Sequence, residues 1–184
     1  QTLAKDQWHL LPEQLEDFCQ RNKRPDGNPY LLILNYPGNP DGITYGAESV
    51  KQLAETCRKN NIYILSDEIY GQLHHEGKHV SIAKYYPEGT IISSGLSKWC
   101  GAGGWRLGTF SFPAKLHWLM DAMAAVASET YTSVSAPIQY AAIQAFLCGS
   151  EIENYLSHVR KILALLGKET AAILKNGNIS VNDP

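Results

Sequence analysis

The sequence carries almost no excess charge of either sign. Sixteen Lys and Arg face eighteen Asp and Glu, a formal net charge of −2. Without a basic surplus there is little to neutralise phosphates, which argues against nucleic acid and anionic membrane surfaces as partners. Long apolar runs are also missing. The most apolar stretch, Trp118 to Ala127, is interrupted by Asp121 and falls short of the ~18 to 20 residues of a membrane span. Gln1 to Lys5 shows no signal-peptide pattern. Cysteine is sparse and scattered: Cys19, Cys57, Cys100 and Cys148 form no C-x-x-C pair and no zinc spacing. Free thiols in a reducing compartment suit such a chain, so a cytoplasmic protein is expected. There is no internal repeat and no low-complexity segment. What remains is ordinary for a globular domain: 184 residues, 44% apolar and 18% charged, too apolar for a disordered chain and long enough for a core.

Hydrophobic patterning divides the chain into alternating elements. Leu11 to Asn22 reads as an amphipathic helix opened by Pro12, with Leu11, Leu15, Phe18 and Cys19 on one face. Tyr30 to Leu34 is a nearly continuous apolar run, the mark of a strand buried on both faces. Pro37 to Gly42 is a rigid loop, and Gly46 to Asn60 a helix with Val50, Leu53, Ala54 and Cys57 inward. Ile62 to Leu65 and Thr90 to Ser93 read as further buried strands, and Trp105 to Phe112 as a strand ended by Pro113. Helical patterns follow over 114–128, 136–148 and 151–176. The long last helix either leads to a further domain or packs on the helices before it. The order implies an α/β fold with a mostly parallel sheet flanked by helices. The chain opens on Gln1 rather than Met and closes where a strand-like pattern starts at Ile179, so a piece of a longer protein is expected.

In open α/β sheets, ligands bind at the carboxyl ends of the strands. The residues that follow each strand are therefore the candidates. Asn35 and Asn39 follow the first; Ser66, Asp67, Glu68 and Tyr70 the second; Ser94, Ser97 and Lys98 the third; Arg106 stands near the start of the fourth. Each has an ordinary structural reading, as a turn cap, a half-buried aromatic or a solvated charge. Together they would bring a carboxylate, a phenol, an amide, an amine and a guanidinium to one sheet edge. Asn39 sits between Pro37 and Pro40, which restrict the loop around it. Four glycines, Gly101, Gly103, Gly104 and Gly108, surround Arg106, as suits a backbone that approaches a ligand closely. The run is not a Walker loop, and it precedes a strand rather than a helix, unlike a dinucleotide loop. A lysine eight residues before an arginine in such a loop suits another phosphate-bearing ligand, one that also needs an amine.

These residues resemble the class I and II aminotransferases, which depend on pyridoxal 5'-phosphate (PLP). Gly95 to Gly108 (GLSKWCGAGGWRLG) is similar to the family's cofactor-attachment signature. Asn35 to Gly42 (NYPGNPDG) is similar to its N-x-P-x-N-P-T-G loop, and Asp67-Glu68-Ile69-Tyr70 to its D-E-x-Y strand end. The three motifs stand in the family's order, and the resemblance as a whole covers roughly residues 10 to 176. The resemblance implies a three-layer large domain of the aspartate aminotransferase fold (fold type I) over 1–176, lacking its N-terminal part, with 177–184 starting a small C-terminal domain. It implies Lys98 as the Schiff-base lysine and proton shuttle, Asp67 as the carboxylate partner of the pyridine nitrogen, and Tyr70 and Asn39 as donors to the ring's phenolate oxygen. Arg106 and Ser97 become phosphate contacts. Thr132 and Ser133 fall where relatives approach a neighbouring subunit's cofactor.

Two positions depart from the family pattern. Gly95 stands where the family often has a phosphate-binding Ser, and Asp41 where Thr is usual. The family's upstream Gly-rich turn, its ring-stacking aromatic, its tyrosine lent across the dimer and its carboxylate-gripping arginine cannot be assigned. The expectation is thus an aminotransferase moving an amino group between an amino acid and a 2-oxo acid, likewise a homodimer, of which this chain is an incomplete piece, inactive alone. Other fold type I chemistry, such as a carbon–sulfur lyase or an aminocyclopropane-carboxylate synthase, would share the same residues. So would a PLP-binding effector domain of a transcription regulator. A metal site at His74, His75 and His79 with Glu76 is the remaining alternative, against which Gly77 and the ordinary surface role of histidine both weigh.

Overall fold

A computed structural model describes residues 6–182. The first five residues and the last two, which belong to the ranges expected for the two domains, lie outside the described residues. The elements run α1 (Pro12–Arg21), β1 (Tyr30–Asn35), α2 (Ala47–Lys59), β2 (Ile62–Asp67), β3 (Thr90–Gly95), β4 (Gly108–Ser111), α3 (His117–Thr130), α4 (Ala136–Phe146) and α5 (Ser150–Asn176), with short 3-10 turns between them. The sheet order is β1-β2-β3-β4. The first three strands are parallel and β4 is antiparallel to β3. This is an α/β fold with a mostly parallel sheet flanked by helices, as the alternation of patterns implies.

Register is what positions the site. Asn35 pairs with Asp67 across β1 and β2, and Asp67 with Ser93 across β2 and β3. The carboxyl ends of three strands are therefore level, and the loops leaving them start from one edge.

Two apolar clusters hold this frame. One packs α1 and α2 under the sheet through Leu34, Tyr36, Val50, Leu53, Ile64 and Ile82. The other joins the Gly-rich loop to α4 and α5 through Leu96, Trp99, Leu107, Ala142, Ala145 and Leu156. The second cluster bears on the last helix. The first part of α5 packs on α4 at Leu156, while Ile162, Leu165, Leu166 and Ile173 further along it are exposed.

The structure corrects four expectations. β1 is buried on one face only: Leu31 and Ile33 are 60% and 67% exposed, because α1 and α2 cover the opposite side. β2 likewise alternates, with Ile62, Ile64 and Ser66 buried and the residues between them half-buried. The fourth strand starts at Gly108 rather than Trp105, because Gly103–Trp105 forms a 3-10 turn and Arg106 adopts a left-handed backbone with φ 56°. No strand forms over 179–182; α5 ends at Gly177, whose N–H bonds back to Ile173 and Leu174. Among the described residues, no helix is long and apolar enough to cross a membrane.

Candidate active site

The loop after β1 is held by its own polar groups. Asn35 is the organiser. Its side-chain amide donates to the Asp67 carbonyl at 3.1 Å, and its Oδ1 accepts the Asn39 N–H at 2.8 Å. The Asp41 carboxylate accepts the Ile43 N–H at 3.0 Å, and Gly38 N–H donates to the Ile43 carbonyl at 2.8 Å. Asp41, the departure from the usual Thr, thus closes the loop and plays no part at its tip. Asn39 projects from this loop, and its Nδ2 donates to the Tyr70 hydroxyl at 3.4 Å.

Tyr70 closes a tight turn at the end of β2. Gly71 N–H donates to the Glu68 carbonyl at 2.8 Å, Leu73 N–H to the Tyr70 carbonyl at 2.8 Å, and Ile69 N–H to the Asp67 carboxylate at 3.4 Å. Asp67 does cap its own turn, then, but weakly and with one oxygen. Its side chain is half-buried, on the opposite side of the strand from buried Ser66.

Lys98 lies after β3, flanked by buried Leu96 and Trp99. These two anchors drive the backbone into the core on either side and leave the lysine outside. Gly101 N–H bonds the Lys98 carbonyl at 3.2 Å, and Ala102 N–H the Leu96 carbonyl at 3.2 Å. The Lys98 Nζ stands 5.7 Å from the centre of the Tyr70 ring, within cation–π range. Ser97 beside it is half-buried.

The structure therefore brings Asn39, Tyr70 and Lys98 together, with Asp67 level with Asn35 and Ser93 at the same sheet edge. Arg106 is exposed, and its guanidinium turns back to donate to the Gly103 carbonyl at 2.7 Å. Its left-handed backbone is uncommon outside glycine and marks a locally enforced turn. Thr132 and Ser133 sit exposed in the turn between α3 and α4, making no hydrogen bond to this group among the described residues.

The donor set suits one flat ligand. An exposed amine, a phenol and an amide meet at one edge with the Asp67 carboxylate level with them, while the Arg106 guanidinium is exposed and bonded to the Gly103 carbonyl; a ring bearing an aldehyde, a basic nitrogen and a hydroxyl would find a partner for each group there. The PLP implied by the motifs fits these residues.

The histidines serve other ends. His74 Nδ1 accepts the N–H groups of Glu76 at 3.2 Å and Lys78 at 3.4 Å, capping the turn 74–78. His79 Nε2 bonds the Glu68 carboxylate at 2.8 Å. Among the described residues, no group of three or more His, Cys, Asp or Glu could hold a metal ion. Sequence reasoning missed the roles of Asn35 and Glu68. Asn35 does carry a signal, as the last residue of a strand four before a loop amide.

Comparison with known proteins agrees with the motifs. The profile of the family described as aminotransferase class I and II matches residues 2–183. An aspartate aminotransferase of Geobacillus stearothermophilus is 36% identical over 148 residues, 78% of this chain and 35% of that protein. A probable aspartate/prephenate aminotransferase of Thermus aquaticus is 38% identical over 114 residues, 62% of this chain and 29% of that protein. Among solved structures, a mutant aspartate aminotransferase of Thermus thermophilus superposes with a TM-score of 0.83 at 27% identity, covering 100% of this chain and 48% of that one. An aromatic aminotransferase of Pyrococcus horikoshii gives 0.82 at 26% identity, covering 95% and 45%. The chain spans about a third to a half of the length of these relatives.

Proposed function

The chain belongs to the class I and II aminotransferase family, and from that premise we propose that it supplies the cofactor-holding part of a PLP-dependent aminotransferase. The reaction is transfer of an amino group between an amino acid and a 2-oxo acid. The observation that carries this reading is the grouping of Asn39, Tyr70 and Lys98, with the Tyr70 hydroxyl 3.4 Å from the Asn39 amide and its ring 5.7 Å from the Lys98 amine.

When bound, PLP supplies an electron-accepting ring that stabilises negative charge developing on the substrate's α-carbon. The residues of this chain would hold it and move protons beside it. Lys98 would hold the cofactor through its primary amine and, when that amine is free, would serve as the base that moves a proton. Asp67 would keep the ring nitrogen protonated by accepting a hydrogen bond from it. Tyr70 and Asn39 would donate to the ring's phenolate oxygen. Ser97 and Arg106 would hold the phosphate, for which a planar guanidinium offers two parallel donors. Residues 1–176 form part of the cofactor-binding domain and 177–184 lead into a second one. The whole protein acts as a homodimer in the cytoplasm.

The test is covalent trapping. The protein is incubated with PLP, reduced with borohydride, digested and examined by mass spectrometry. A phosphopyridoxyl group on Lys98 alone, lost in Lys98→Ala, is the expected result. Labelling scattered over surface lysines would sink the reading. Formation of a 2-oxo acid in step with a new amino acid then identifies the transfer, whereas pyruvate and ammonia without an acceptor would point to lyase chemistry.

A further inference from the structure

Behind the candidate site lies a second polar group, which no part of the proposed chemistry uses. The Glu68 carboxylate receives three hydrogen bonds: Ser66 Oγ at 2.8 Å and Ser81 Oγ at 2.7 Å on Oε1, and His79 Nε2 at 2.8 Å on Oε2. The two side chains are deeply placed, 9% exposed for Glu68 and 14% for His79. A carboxylate only accepts, so the proton of the pair lies on Nε2. His79 Nδ1 is buried and has no partner among the described residues. The ring is further wedged against Tyr36, with centroids 5.1 Å apart.

Three contacts tie this group to the turn that carries Asp67 and Tyr70. Glu68 lies between those residues, and its N–H bonds the Ser93 carbonyl of β3 at 2.9 Å. Its carbonyl accepts the Gly71 N–H at 2.8 Å. The His79 ring packs against Gly71, where an added Cβ would stand 2.8 Å from His79 Cδ2. On the far side, Tyr36 N–H donates to the Asp67 carbonyl at 3.2 Å, while the Tyr36 hydroxyl donates to the Val80 carbonyl at 3.1 Å and accepts the Ile82 N–H at 2.6 Å. The segment 79–82 is thereby clamped between Glu68 and Tyr36, and the turn 67–71 is pinned from both ends.

We propose that Glu68 and His79 are a positioning pair for the site: their hydrogen bond, buried on the side of β2 opposite Asp67, sets where Asp67 and Tyr70 stand toward the cofactor. Neither touches the cofactor. The inference rests on the proposed function, since it assigns the pair to the same site. Replacing buried ionic groups by apolar ones is often neutral for stability, so we take the three bonds to the Glu68 carboxylate to fix geometry rather than to add stability.

The experiment uses the full-length holoenzyme. Glu68→Leu and His79→Leu remove the bond; Glu68→Gln and His79→Gln keep a hydrogen bond at the same place. Four readouts are taken: the visible absorbance of bound PLP, PLP affinity by fluorescence titration, kcat against KM for the amino donor, and the melting temperature. The expected result is a loss in kcat on the order of 100-fold in the Leu variants. A displaced absorbance maximum and weaker PLP binding accompany it, with the larger part of the loss in kcat rather than KM. The Gln variants recover most of each. Should a Leu variant fail to fold, Ser81→Ala carries the test. It removes one of the three bonds and is expected to lower kcat about fivefold, the equivalent of one hydrogen bond, with the same spectral displacement. Folded variants with the unsubstituted spectrum and kcat overturn the inference alone, as do Gln variants as impaired as Leu. An unsubstituted protein that takes up no PLP overturns the functional reading, and the inference with it.

Discussion

Asn39 and Tyr70, thirty-one residues apart, share a hydrogen bond of 3.4 Å at the rim of the sheet. Neither is carried by regular structure. Asn39 is held through the Asn35 side chain, and Tyr70 through the turn that begins at Asp67. Two loops from neighbouring strands therefore meet at their tips because Asn35 and Asp67 are directly paired. The site inherits its precision from strand register.

This contact makes the two residues energetically dependent. In the PLP-loaded protein, Asn39→Ala and Tyr70→Phe should each weaken PLP binding by about 1 kcal/mol. The double substitution should lose less than the sum, by about 0.5 kcal/mol or more, as expected for groups in contact. Titration of PLP into the four proteins of the cycle measures it. Strict additivity would mean that the two groups act independently.

Much of this arrangement is legible in the amino-acid sequence, and the reasons are local. Apolar runs of strand length followed within a few residues by Asn35, Asp67 or Lys98 announce both the sheet and its candidate site edge. The proline-flanked loop and the glycines around Arg106 announce tight backbone. What is not legible depends on partners elsewhere in the chain. The run Tyr30–Leu34 looks buried on both faces, yet burial is decided by what packs on it, and Leu31 and Ile33 remain exposed. The fourth strand looks longer than it is, because Trp105 to Leu107 has strand-like composition while Arg106 turns left-handed. Glu68 and His79 meet across eleven residues of irregular chain, a separation with no periodic signature.

The turn 74–78 should respond to pH. His74 Nδ1 accepts two backbone N–H groups, which only the neutral ring can do, and partial burial lowers its pKa below the usual value. A lowered pKa means that the folded chain prefers the neutral ring. The contribution is therefore complete above the unfolded value of about 6.5 and is lost as pH falls through the lower folded value. Protection of the Glu76 and Lys78 amides, the ratio of intrinsic to observed exchange rate, should fall over that range. His74→Asn, which keeps an acceptor that does not titrate, should hold that protection constant with pH. His74→Ala should leave both amides unprotected throughout. Protection indifferent to pH in the unsubstituted protein would count against the cap.

The four cysteines should react in a fixed order. Burial pushes the Cys57 thiol up to about 12 and raises that of Cys19, so neither offers a thiolate near neutral pH. Cys148 is exposed and Cys100 half-buried. A maleimide titration of the native protein should modify Cys148 first and Cys100 next. Cys19 and Cys57 should react only after denaturant is added. Early modification of Cys57 would show that the packing of α2 on the sheet opens readily.

Gly95 stands where related sequences often place a phosphate-binding serine, and the structure explains why that hydroxyl cannot simply be restored. A Cβ on Gly95 would lie 2.6 Å from the Leu107 carbonyl oxygen and 3.0 Å from Gly108 Cα, both backbone atoms of the antiparallel partner. The crowding comes from the pairing itself: Gly95 faces Gly108 directly, and Leu96 N–H bonds that same Leu107 carbonyl at 3.3 Å. Two glycines in opposition let β3 and β4 approach just where the chain turns toward Lys98. Gly95→Ala and Gly95→Ser should each destabilise the protein by about 1 to 3 kcal/mol, the usual cost of overpacking. Displacement of β4 would move Arg106, which lies two residues before it. Gly95→Ser should therefore weaken PLP binding despite its added hydroxyl. Urea unfolding and PLP titration of both variants decide the point. A serine variant that binds PLP more tightly without loss of stability would show that β4 shifts freely and that the close approach is not required.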